Sequence, residues 1–139
     1  VLAMAIPSFF TGHLIIKFGV KKVLSAGIFL LFCASMIGVL GTQLINFYMA
    51  LILLGVGWNF GFISATTILT NNHEVNERGN AQGMNDMIVF GFVALASLTS
   101  GSLMNCSADS QETGWSLVSI SMIPLLVISM IAVTKLSKK

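Results

Sequence analysis

Residues 23–41 read VLSAGIFLLFCASMIGVLG, nineteen positions without a charged side chain, directly after Lys21 and Lys22. A run of roughly 18–25 apolar residues is what a helix needs to cross bilayer hydrocarbon. Hydrocarbon offers no partners for backbone N–H and C=O groups, so only a helix or a closed barrel can span it. A barrel strand alternates polar and apolar residues, and this stretch does not, so it reads as a transmembrane helix. Working outward, residues 47–69, 83–104 and 115–134 have the same character, and residues 1–16 resemble the end of a further span. That first segment has neither an initial Met nor a basic region before it, which argues against a signal peptide and for a chain that begins inside a helix.

Composition agrees. Of the 139 residues, 55% are hydrophobic and only 9% charged, with a mean hydropathy of +0.91; soluble domains carry about 25% charged residues. So short a chain cannot bury that much apolar surface in one water-soluble core. Lipid is its expected solvent.

The charges set an expected orientation. If the spans alternate, Lys17, Lys21, Lys22, Arg78, Lys135, Lys138 and Lys139, all seven basic residues of the chain, fall on one side. The turn at 42–46 and the loop at 105–114 fall on the other. Cytoplasmic loops are enriched in Lys and Arg, so the basic side, with the C-terminus, is expected to be cytoplasmic. The seven cations at headgroup level are what topology requires, and they give no reason to invoke nucleic acid.

Other chemistries find little support. His13 and His73 stand apart and Cys33 and Cys106 differ in depth, so no metal-ligand spacing is present. No phosphate-binding glycine loop and no cluster of acid, base or nucleophile occurs, so neither a cofactor nor an enzymatic role is expected.

Two stretches carry a family resemblance. Gly12-His-Leu-Ile-Ile-Lys17-Phe-Gly19-Val-Lys21-Lys22 resembles the loop signature G-x-L-a-D-R-x-G-R-R/K of the major facilitator superfamily, with Ile16 in place of the signature's Asp. Asn76-Glu77-Arg78-Gly79-Asn80-Ala81-Gln82-Gly83 resembles the E-R-G-x-A-x-G stretch that opens the eleventh helix in many members. The resemblance implies an all-α membrane protein: a partial major-facilitator-type bundle of four complete transmembrane helices plus the end of a fifth. It places the chain from the end of helix eight to helix twelve, with helices two to six of the other half as the alternative. It further implies a secondary active transporter of a small solute, completed by missing N-terminal helices of the same chain, in a bacterial inner membrane. A non-transporting assembly or sensor subunit is the competing reading, and it would be expected to bring a sizeable soluble domain.

Polar groups inside a membrane are costly and face protein or a water-filled path. In the span 47–69, Gly55, Trp58, Asn59, Phe62 and Thr66 share one helical stripe. Trp58 and Phe62 would supply a stacking wall, with Asn59 and Thr66 as polar partners. The resemblance makes this the tenth helix, which lines the central cavity. The bland alternative is that small residues and an Asn hold a packed seam. In the next span, Gly83, Asp86, Phe90, Ala94, Ser97 and Gly101 form a face that would admit a close neighbour. Asp86 on that face, with Asn85 beside it and Lys17, Lys21 and Arg78 at the same end, are the gating or coupling candidates. A structural ion pair is favoured for Asp86 over proton carriage. Gly12 and Gly19 are expected to allow a tight reversal and close helix approach, and Gly79 and Gly83 complete the set of motif glycines.

Overall fold

The computed structural model describes residues 2–41, 43–106 and 111–137, with side chains over 5–41, 43–105 and 113–135. Lys138 and Lys139 of the basic tail, and Asp109 and Glu112 of the opposite loop, lie outside those side chains. Five helices form the chain: α1 (Leu2–Phe18), α2 (Val20–Leu40), α3 (Leu44–Asn71), α4 (Arg78–Cys106) and α5 (Gln111–Ser137). Four stretches, Val20–Leu40, Leu44–Asn71, Arg78–Asn105 and Thr113–Lys135, are long and apolar enough to cross a membrane; α1 contributes a shorter apolar helix, Ala5–Phe18. At 1.5 Å rise per residue the shortest of the four extends about 30 Å.

Helices run past the bounds that hydropathy sets. The α4 helix starts at Arg78 rather than at residue 83, because the turn before it is already wound: Arg78 and Glu77 amides both donate to the Glu74 carbonyl, at 3.1 and 2.9 Å. Polar residues such as Asn80 and Gln82 are good enough helix formers to continue the spiral beyond hydrocarbon. Gly19 separates α1 from α2 with φ of +88°, a left-handed value that costs any side chain and none for glycine.

The core lies among α2, α3 and α5. Between α2 and α3 the backbones meet at Gly27 and Gly57. A Cβ built on Gly27 would come 2.8 Å from the Gly61 nitrogen, and one on Gly57 would come 2.9 Å from the Gly27 carbonyl oxygen. Without a hydrophobic drive between helices in lipid, such close van der Waals contact is what holds them. Farther along α2, Gly38 receives Ser119 and Trp115 of α5, and the Trp115 indole Nε1 donates to the Gly38 carbonyl at 3.0 Å. The α3 side of α5 is completed by Phe47, whose ring lies 5.2 Å from that of Trp115.

One sequence expectation fails. Gly12 sits inside α1, and a Cβ there would meet nothing within 4 Å; the reversal belongs to Gly19 alone. On the small-residue face of α4, Gly83 and Gly101 have open space where a Cβ would stand, and Phe90 meets Phe62 of α3. A small-residue face permits approach but does not supply the partner.

Candidate functional site

The α3 stripe is divided between two neighbours. Asn59 turns to α1 and is 7% exposed. Its Oδ1 accepts from the Thr11 hydroxyl at 2.7 Å, and its Nδ2 donates to Ser8 Oγ at 2.5 Å. The Thr11 hydroxyl, fully buried, also lies 2.7 Å from the Pro7 carbonyl, so its single proton is shared between two acceptors. Proline at position 7, inside α1, has no backbone N–H to give to the carbonyl one turn earlier. Ser8, Thr11 and Asn59 therefore form a polar clasp between α1 and α3 at membrane depth. Of these three, the helical stripe of α3 singles out Asn59 alone; the signal for Ser8 and Thr11 is a pair of hydroxyls one turn apart in an apolar helix.

Trp58 and Phe62 turn the other way, toward α4. Their rings are stacked, 11° from parallel with centroids 6.3 Å apart. Phe90 of α4 lies 6.3 Å from Phe62, tilted by 49°. Trp58 keeps 36% of its surface exposed, so the stack is one open wall and not a filled core. Farther along α3, Thr66 Oγ1 and Ser64 Oγ are buried with no hydrogen-bond partner. Such groups cost about 1–3 kcal/mol each, and nothing among the described residues repays them.

Toward the end where Lys17, Lys21, Lys22 and Arg78 cluster, α3, α4 and the turn between them border an open hollow of about 430 Å³ lined by His73, Glu77, Asn80 and Asn85 over Leu69 and Ile88. The gating candidates divide here. Asn85 lines the cavity and its Nδ2 donates to Asp86 Oδ1 at 3.3 Å. Arg78 Nε donates to the His73 carbonyl at 3.2 Å and so closes the α3–α4 turn. The Lys17 ammonium lies 5.5 Å from the centroid of Phe18, and Lys21 is at the first turn of α2 with its carbonyl accepting from Ser25. Gly79, like Gly83, has open space where a Cβ would stand. No group of three or more metal-binding side chains occurs among the described residues.

This arrangement is a helical bundle with a one-sided aromatic wall on α3 and α4 and a polar mouth at its basic end. The family model described as Major Facilitator Superfamily matches residues 1–139. The chain belongs to that superfamily. It is 44% identical over 131 residues to a riboflavin transporter of Brucella anthropi, covering 94% of this chain and 31% of the relative. It is also 33% identical over 132 residues to an uncharacterised transporter of the same superfamily from Bacillus subtilis, covering 90% of this chain and 30% of that protein. The chain thus spans about a third of the length of these curated relatives. No solved structure matches it. Membership makes this segment part of a multi-pass membrane transporter fold, and its relatives carry transporter names.

Proposed function

We propose that this segment belongs to a secondary active transporter of flat aromatic solutes of the riboflavin type, working by alternating access between two helical halves. The observation that carries the reading is the 44% identity to the Brucella riboflavin transporter across 94% of the chain. The aromatic wall supports it. A tricyclic isoalloxazine presents two wide π-faces, and a stacked Trp58–Phe62 pair flanked by Phe90 offers a surface of matching kind. In this reading Trp58 and Phe62 touch the solute, Asn59 fixes the wall against α1, and Thr66 lies one step along the same helix. Asn85, Asp86, Arg78 and the Lys17–Lys21 loop form the inner gate. The basic end faces the cytoplasm of a bacterial inner membrane, and helices eight to twelve are the assigned positions.

The test is uptake of labelled riboflavin by the full-length protein. Trp58→Ala is expected to raise KM about tenfold, the loss of one stacking contact worth about 1–3 kcal/mol, with membrane abundance unchanged. An unaltered KM in both Trp58→Ala and Phe62→Ala would remove the aromatic wall from the substrate path. Absence of riboflavin uptake by the parent protein would overturn the substrate class.

A further inference from the structure

Two cavities meet at Phe18 and Lys22. One, of about 450 Å³, opens at the basic end of the bundle, between the α1–α2 reversal and the end of α3, and is bounded by Phe18, Lys21, Lys22, Ile68, Asn71 and Asn72. None of the residues around it is acidic. The other, of about 230 Å³, runs inward from the same two side chains along Leu14, Val23, Ala26 and Phe60. The side chains lining it are hydrocarbon apart from Lys22, which borders both cavities. From Asn71 to Phe60 the α3 helix descends about 16 Å, so the pair leads from headgroup level toward the bilayer interior.

The chemistry at the outer cavity suits an anion. Two lysines, Lys21 and Lys22, border it, and Phe18 of the same lining has the Lys17 ammonium 5.5 Å from its ring centroid. The end of α3 would ordinarily oppose an anion with its unpaired carbonyls. Here two of those carbonyls are covered: Asn72 Nδ2 donates at 2.8 Å to Ile68, and the Asn72 amide donates at 3.2 Å to Leu69. Lys21 and Lys22 of α2 and the exposed Asn71 side chain border the cavity.

We propose that this pair of cavities binds one anionic phospholipid, its phosphodiester between Lys21, Lys22 and Asn71 and one acyl chain along Leu14, Ala26 and Phe60. Basic pockets between transmembrane helices hold acidic headgroups in this manner. A free phosphate would use the outer cavity alone, whereas a phospholipid uses both. The inner groove is the reason for choosing the lipid. This site is separate from the aromatic wall and does not depend on which solute is carried.

The experiment uses the full-length protein in detergent, titrated with phosphatidylglycerol and, in parallel, phosphatidylcholine, with bound lipid counted by native mass spectrometry. One phosphatidylglycerol per chain is expected to be retained, with phosphatidylcholine lost. Lys21→Gln with Lys22→Gln is expected to cut retention about thirtyfold, as removal of two headgroup charges implies. Ala26→Phe, which blocks the groove without touching charge, is expected to do the same, and Lys135→Gln at the same end of the bundle to do nothing. Retention unaffected by Ala26→Phe, or lost equally in Lys135→Gln, would overturn the site in favour of general charge attraction. Displacement by excess inorganic phosphate while Ala26→Phe has no effect would show a phosphate site instead.

Discussion

The α2–α3 crossing and the α4 helix are written in the same residues and behave in opposite ways. Both carry glycine, alanine and serine at helical spacing, the vocabulary of close packing in membranes. At the crossing, Gly27 meets Gly57 and Gly61 so closely that a methyl group would strike backbone atoms at 2.8–3.0 Å. On α4, the same residue types at 83, 91 and 101 meet nothing within 4 Å. The difference lies in the partner. A glycine on one helix produces close approach only when the facing helix offers a matching concavity at the same height. The clasp of Asn59 with Ser8 and Thr11 follows the same logic with hydrogen bonds in place of contact.

The largest expected effect breaks the crossing. Gly57→Leu must displace the α2 backbone, since the obstacle at 2.9 Å is the Gly27 carbonyl and not a movable side-chain tip. Overpacking of this kind costs about 1–3 kcal/mol and occasionally more. The full-length protein is expected to lose most of its membrane abundance, read by immunoblot of purified membranes. Next comes the clasp. Asn59→Leu leaves the Ser8 and Thr11 hydroxyls facing a hydrocarbon side chain, at an expected cost of about 1–2 kcal/mol. Activity and abundance should then fall together; uptake lost at full abundance would place Asn59 on the solute path instead.

A comparable loss is expected at the reversal. Gly19→Ala has room for its methyl but must hold φ at +88° with ψ at 148°, costing about 1–3 kcal/mol, which a thermal shift in detergent should resolve. Trp115→Phe keeps the ring against Phe47 and removes only the Nε1 bond to Gly38. A loss of about 0.5–1.5 kcal/mol is expected. The smallest effect sharpens the comparison from the other side. Gly91→Ala on α4 should be neutral or slightly stabilising, because alanine is the better helix former by about 1 kcal/mol. A marked loss of stability in the full-length protein would show that another helix covers this face.

Several properties were legible in the residues themselves. Long uncharged runs force helices in hydrocarbon, because no other local structure satisfies the backbone there, and the two loop motifs carried the family. Charge placement put Lys17, Lys21, Lys22, Arg78 and Lys135 at helix ends, where the solvated ammonium and guanidinium groups must lie. None of this required knowing how helices face one another. Which way a stripe points did require it. Trp58, Asn59 and Phe62 lie within an arc of about 100°, and a wheel cannot tell that Asn59 reaches α1 while the ring of Phe62 reaches α4. That division is decided by the parallel register of α1 on α3, which sets Thr11 at the height of Asn59, and by the antiparallel register of α4, which sets Phe90 at that of Phe62. The glycine contacts and the joined cavities at Phe18 and Lys22 arise in the same way, from groups distant in sequence brought to one depth. Periodicity describes a single helix; register is a property of a pair, and only the tertiary structure contains it.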